Sequence, residues 1–136
     1  MVIDTSVIVQ ILKREPGWQQ SLQLLKEQDS RRISGASTIE LQAVLSKDQT
    51  VSAEEAIKRL DTFLDELNIE VAPLTLRQSK LARKAYLEYG KGRGHKAQLN
   101  YGDVMSYALA KDAAERLAFV GDDFQHTDLK VLQLPL

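Results

Sequence analysis

Four acidic positions are set apart by where they fall along the chain: Asp4, Glu40, Asp103 and the pair Asp122-Asp123. Asp4 ends the apolar run Met1-Val2-Ile3, and Asp122-Asp123 follow the run Leu117-Ala118-Phe119-Val120 across one glycine. Glu40 and Asp103 lie beside patterns that open helices. Carboxylates brought together from such distant points repel, by roughly 4 kcal/mol for two charges about 4 Å apart at an effective dielectric near 20. A hard divalent cation, Mg²⁺ or Mn²⁺, removes that repulsion and accepts oxygen donors. With open coordination positions it polarises a phosphate oxygen and turns water into a nucleophile; a second cation would stabilise the leaving oxygen. The chemistry expected is in-line hydrolysis of a phosphodiester.

The acids can meet only if the elements between them form a suitable frame. Short apolar runs at residues 1–3, 32–34, 69–71, 117–120 and 131–134 read as strands, and they alternate with stretches of helical periodicity. That alternation predicts an α/β fold, a central parallel sheet with helices on both faces. Thr5 and Ser6 are expected to cap a helix carrying Val7, Ile8, Ile11 and Leu12, which Glu15-Pro16-Gly17 ends. A second helix is expected from about Trp18 to Gln28. Gly35-Ala36 reads as a turn, after which Ser37-Thr38-Ile39-Glu40 has capping-box spacing, as does Ser52-Ala53-Glu54-Glu55. Thr75 is expected to cap a helix reaching Tyr89, with Leu76, Leu81, Ala82 and Ala85 inward. In such a sheet, ligands bind beyond the carboxyl ends of the strands, the edge that Asp4 and Asp122-Asp123 would occupy.

Each acid also has a plainer reading. A capping box accounts for Glu40, and a helix N-terminus or a turn accounts for Asp103 or Asp122. Asp4 is the hardest to explain that way, and the combination favours a shared site.

The bulk numbers narrow the class. A chain of 136 residues with 43% hydrophobic and 27% charged residues is the size and balance of one globular domain. Net charge is −1, so any nucleic-acid contact must come from a local basic patch. The absence of cysteine excludes disulfides, thiolate zinc sites and cysteine nucleophiles. No apolar run approaches the roughly 20 residues of a membrane span, and no secretory signal is visible, so a cytoplasmic location is the default expectation.

Met1-Val2-Ile3-Asp4-Thr5-Ser6, Ser37-Thr38-Ile39-Glu40, Leu99-Asn100-Tyr101-Gly102-Asp103 and Val120-Gly121-Asp122-Asp123-Phe124-Gln125-His126-Thr127-Asp128 resemble, in order and spacing, the motifs of PIN-domain ribonucleases. More narrowly the chain resembles the VapC toxins of bacterial VapBC toxin–antitoxin systems. The resemblance spans nearly the whole chain and implies one PIN-like domain over residues 1–136 and a Mg²⁺- or Mn²⁺-dependent endoribonuclease of a type II pair. It also implies a cognate antitoxin protein and a homodimer. Carried over, Asp4 and Asp103 would be the main metal ligands and Glu40 would complete the site, directly or through water. Asp123 would be the fourth acid, with Asp122 its neighbouring alternative and Asp128 a more distant one. Thr5 or Ser6 would supply an orienting hydroxyl. The partner would lie over the active-site groove, its expected seat being the apolar faces around residues 7–12 and 41–45. Two features depart from the pattern: Val120 stands where a lysine is usual, and the loop before Asp103 is about one residue longer.

That loop, Gly90-Lys91-Gly92-Arg93-Gly94-His95-Lys96, places Lys91, Arg93 and Lys96 just ahead of Asp103. Such a loop could follow an RNA backbone, or be a solvated flexible connection. Its glycines are not a dinucleotide fingerprint, because a helix precedes them, and no Walker A sequence exists. His95 and His126 lack a second histidine at ligand spacing, which argues against a histidine zinc site and for surface roles. Tyr101 and Tyr107 could stack on bases but more simply belong to a helix core or edge, and Trp18 reads as a packing anchor.

Two other functions fit an acid after the first strand. An aspartate-type phosphatase or phosphotransfer domain typically needs a second Asp two residues later, and Ser6 stands there. A catalytically silent RNA- or protein-binding relative would not need all four acidic positions filled.

Overall fold

Val2 and Ile3, the whole of strand β1 (Val2–Ile3), are both fully buried. Successive side chains of a strand point to opposite faces, so burial of both requires a layer of helices on each side. The computed structural model describes residues 1–136 and shows that arrangement. After β1 come α1 (Thr5–Leu12), α2 (Trp18–Lys26), β2 (Arg31–Ser34), α3 (Gly35–Leu45), α4 (Ala53–Glu66) and β3 (Ile69–Ala72). Then follow α5 (Leu76–Tyr89), α6 (Tyr101–Ala113), β4 (Leu117–Val120) and β5 (Val131–Leu134).

The five strands form one sheet in the order β3-β2-β1-β4-β5, every pair parallel. Ile3, Ile33, Ile69, Ala118 and Leu134 face a core completed by α1 to α4. Val2, Ala72, Leu117 and Phe119 face the other core, made by α5 and α6. The chain leaves β1 toward β2 and β3, then returns to set β4 against β1 and β5 beyond it. The connections from β1 and β4 therefore depart in opposite directions, and their carboxyl ends flank a topological switch point.

Several helix starts differ from expectation. Asp4 itself caps α1, its carboxylate accepting from the Ser6 N–H at 3.0 Å, so Thr5 and Ser6 already lie in the first turn. Gly35-Ala36 is no turn: β2 runs straight into α3, and the Ser34 hydroxyl caps it by accepting from the Ala36 N–H at 3.2 Å. Ser37 is thus buried inside the helix and Glu40 sits a turn beyond the cap, which removes the capping-box explanation of Glu40. Ser52 and Thr75 do cap α4 and α5. Leu76 is 73% exposed rather than inward, because the buried side of α5 is drawn by Ala82, Ala85 and Tyr89. The apolar faces expected to receive a partner are already spent: Val7, Ile8, Ile11, Leu41 and Leu45 are all core.

One buried polar contact ties this core to the far end of the chain. Gln10 is fully buried, and its amide donates to the Pro16 carbonyl at 2.7 Å and the Pro135 carbonyl at 2.6 Å. Its oxygen accepts from the buried Ser21 hydroxyl at 2.6 Å. Gly17 completes the fit: it has φ +88° and lies so close to the Pro135 carbonyl that a side chain would collide with it. Replacing Gln10 by leucine would leave two carbonyls and a hydroxyl without partners. We expect Gln10→Leu to lower unfolding free energy by about 2–4 kcal/mol, read from the urea midpoint; an unchanged midpoint would show the clamp to be idle.

Candidate active site

Asp4 leaves the end of β1 as an almost wholly buried carboxylate. Burying a charge costs heavily unless hydrogen bonds replace the lost water, and here three do. One oxygen accepts from the Ser6 N–H and, at 2.6 Å, from the Ser6 hydroxyl; the other accepts from the Ser106 hydroxyl at 2.7 Å. Ser6 Oγ in turn accepts from the Val120 N–H at 3.0 Å, joining the start of α1 to the end of β4. Of the two hydroxyls proposed from the sequence, Ser6 orients Asp4 whereas Thr5 donates to Glu40 Oε1 at 2.7 Å. Ser106 was not foreseen, although it lies three residues after Asp103, on the same helical face.

Asp103 occupies the first turn of α6 in a reciprocal capping box. Its N–H donates to the Asn100 side chain and its carboxylate accepts from the Asn100 N–H, each at 2.9 Å. The capping box that the sequence suggested at Glu40 is found here instead. Burial pushes the Asp103 carboxyl up to about 7 against the Asn100 hydrogen bond, and the charges of Asp4, Asp123 and Glu40 push it further. Glu40, from α3, reaches across to α6 and stands against Gly102. Asp123, although exposed at the surface, is also raised above the usual carboxylate range, by partial burial of its carboxyl first and then by the charges of Asp4 and Asp122.

Asp4, Glu40, Asp103 and Asp123 thus share one electrostatic neighbourhood beyond the carboxyl ends of β1 and β4. Asp122 is exposed and accepts from the Gln133 side chain at 3.1 Å. Asp128 has other work: it accepts from Tyr107 and Lys111, both at 2.6 Å. Those bonds outweigh its partial burial and hold its carboxyl below the usual range.

The basic loop is more ordered than its composition suggests. Lys91 and Leu99 are joined by a 2.8 Å backbone hydrogen bond, and the buried Ala97 and Leu99 anchor the returning limb. His95 accepts from the Ala97 N–H through Nδ1 at 3.0 Å and packs edge-on against Tyr89, so it closes the loop and is not a free surface group. Lys91, Arg93 and Lys96 remain exposed, as does His126. Tyr101 is 75% exposed at the start of α6, whereas Tyr107 is buried and committed to Asp128. Trp18 packs against the core as expected, with Arg14 over its ring.

A doubly wound parallel sheet with carboxylates gathered at its switch point defines the class to which the molecule belongs. A family model described as "PIN domain" matches residues 1–130. Ribonuclease VapC28 of Mycobacterium tuberculosis is 42% identical over 132 residues, covering 96% of each chain. Ribonuclease VapC42 of the same species is 40% identical over 130 residues, covering 96% of this chain and 97% of that one. The chain belongs to the PIN-domain family, among the relatives named VapC ribonucleases. Among solved structures, FitAcB from Neisseria gonorrhoeae superposes with a TM-score of 0.74 at 18% identity, over 96% of this chain and 95% of that one. VapBC2 from Rickettsia felis, bound to a DNA fragment from its promoter, gives 0.73 at 20% identity, over 98% of both. At those identities the likeness is one of fold.

The raised Asp103 carboxyl has a consequence for stability. Unfolded, the group titrates near 3.8; folded, near 7. Between those values the folded chain binds the extra proton, so stability of the metal-free protein falls as pH rises from about 4 to about 7. The full difference is on the order of 4 kcal/mol. Asp103→Asn keeps an oxygen for the Asn100 N–H and carries no charge. It is expected to melt well above the parent at pH 8 and close to it at pH 4.5, without divalent cation; an equal gain at both pH values would rule out charge as the cause.

Proposed function

We propose that the protein is an endoribonuclease that hydrolyses RNA phosphodiester bonds with the help of Mg²⁺ or Mn²⁺, as the toxin of a toxin–antitoxin pair. The observation that carries this reading is the meeting of Asp4, Glu40, Asp103 and Asp123, from four separate segments, at one switch point. The donor set is all oxygen, as Mg²⁺ and Mn²⁺ prefer. Glu40 Oε2, Asp103 Oδ1 and the Asp123 carboxylate accept no hydrogen bond from the chain, leaving lone pairs for a ligand. No three of the acids stand together as a ligand group; a Mg²⁺ ion held by one or two carboxylates would take its remaining ligands from water and substrate. When bound, such a cation supplies charge neutralisation and activation of the attacking water.

The chain's own residues do the rest. Ser6 and Ser106 fix the orientation of Asp4, Thr5 holds Glu40, and Asn100 holds Asp103. Asp123 is the fourth acid in preference to Asp122, because Asp123 shares the fields of Asp4 and Asp103 while Asp122 turns to Gln133. Lys91, Arg93 and Lys96 draw the RNA backbone toward this edge. An antitoxin would quiet the site best with an arginine set against the carboxylates. The relatives named VapC ribonucleases support the activity, and solved complexes such as VapBC2 support the partner. A phosphatase with an acid two residues after Asp4 is disfavoured, since Ser6 fills that place and is engaged on both sides.

RNA cleavage should require Mg²⁺ or Mn²⁺, stop with EDTA, and fall at least ~100-fold in Asp103→Asn. Asp4→Asn should match it, although that change also disturbs the hydrogen bonds from Ser6 and Ser106. A variant that still cuts RNA at the parent rate would place the chemistry elsewhere. Replacing Lys91, Arg93 and Lys96 together by alanine should weaken RNA binding and reduce the slope of log affinity against log salt by about 2. An unaltered slope would mean that the loop does not touch phosphates.

A further inference from the structure

We infer that Gly102 is a positioning residue: the side chain it lacks is the space in which the Glu40 carboxylate stands. The inference rests on the nuclease reading above, in which Glu40 belongs to the site.

Gly102 is the second residue of α6. Glycine is a poor helix former, and its usual justification is a left-handed backbone. That justification is missing here, because the glycines with positive φ are Gly17, Gly92, Gly94 and Gly121. What Gly102 does provide is room. A Cβ built on it would overlap Glu40 Oε2 outright, lie 2.5 Å from Cδ and 2.9 Å from Oε1. Apart from the backbone of its own helix and its two chain neighbours, the three heavy atoms nearest that Cβ all belong to this carboxylate. The slot at residue 102 is therefore matched to one group.

The carboxylate cannot yield to a methyl group without losing its place. The buried Thr5 hydroxyl holds Oε1 at 2.7 Å, while Oε2 is the atom nearest the space at residue 102. Glu40 is thus set between a hydroxyl of α1 and the backbone of α6, one residue from Asp103. A side chain at 102 would drive the carboxylate off this seat, breaking the Thr5 bond or carrying the charge away from Asp103. The helix would lose nothing by the change, because alanine is the better helix former. Stability and site geometry should therefore respond in opposite directions, which a merely structural glycine would not produce.

The test uses the full chain and Gly102→Ala, alone and combined with Glu40→Ala. We expect Gly102→Ala to melt at or above the parent temperature. Its affinity for Mn²⁺, measured by calorimetry on the metal-free protein, should fall about tenfold, and RNA cleavage should fall about 10- to 100-fold. In the Glu40→Ala background the same substitution should change Mn²⁺ affinity by less than about twofold, since no carboxylate remains to displace. Parent-like Mn²⁺ affinity and cleavage in Gly102→Ala, with Glu40→Ala impaired, would overturn the inference and leave the nuclease reading standing. An equal loss in both backgrounds would also overturn it, by showing that the effect passes through α6 itself. If Glu40→Ala binds Mn²⁺ and cuts RNA like the parent, the role of Glu40 in the nuclease reading is wrong, and the inference falls with it.

Discussion

Two hydroxyls and one amide converge on the Asp4 carboxylate, and through them β1, α1, α6 and β4 are locked to one another. Ser6 supplies an N–H and an O–H from α1, Ser106 an O–H from α6, and Ser6 also takes the Val120 N–H at the end of β4. Charge-assisted bonds of this kind contribute roughly 1.5–3 kcal/mol each and repay part of the cost of burying the carboxylate. Their geometry matters more than their sum. β1 is only two residues long, so its place in the sheet depends heavily on what grips its end. The same grip sets the depth and direction of the carboxylate that leads the acidic site. Frame and site are built on one bond network.

That economy brings a conflict. The donors that satisfy Asp4 are neutral, so they orient its charge without cancelling it. Asp103 lies in the fields of Asp4, Asp123 and Glu40, and burial first, with those charges added, raises its carboxyl to about 7. A fold optimised for stability alone would place an asparagine or serine at one of these positions. Four acids kept near one switch point leave a negative field that any positive charge brought beside them would relieve.

Much of this was legible in the chain. An apolar run stopped by an acid marked Asp4 and the pair Asp122-Asp123, of which the family resemblance picked Asp123, and regular alternation of strands and helices gave the parallel sheet at whose edge they lie. The failures have a common source: local signals were assigned to local jobs. Ser37 and Glu40 have capping-box spacing, but Ser34 caps α3 first, because β2 enters the helix without a connecting loop. Asn100 and Asp103 have the same i to i+3 spacing and do form the box, so the helix N-terminus reading of Asp103 holds beside its place in the acidic site, and the two are not alternatives. Leu76 is apolar beside a helix start and still faces solvent, since the buried side of α5 begins elsewhere. Ser106 could have been found by asking which residue shares a helical face with Asp103. Gly102 could not, because the space it leaves is filled by a residue 62 positions away, and only the folded chain shows that pair.

The capping box at Asp103 explains why helix starts and acids coincide in this fold. In a parallel sheet every helix that follows a strand begins at the carboxyl edge, where its first N–H groups lack intrahelical partners. An acid placed there gains a hydrogen bond from the backbone and a favourable end of the helix dipole, so it is tolerated in a position where a buried charge otherwise would not be. Asp4 caps α1 and Asp103 closes the box on α6, each using one face of its carboxylate for the helix. The second oxygen of Asp4 accepts from Ser106 of α6, whereas the second oxygen of Asp103 accepts no hydrogen bond from the chain. Capping is therefore no rival to the catalytic reading of these two acids. It supplies the stabilisation that lets them sit close together, and it fixes their directions before any ligand arrives. Glu40 lacks a cap to hold it, and its position rests on the Thr5 hydroxyl on one side and on the bare backbone of Gly102 on the other.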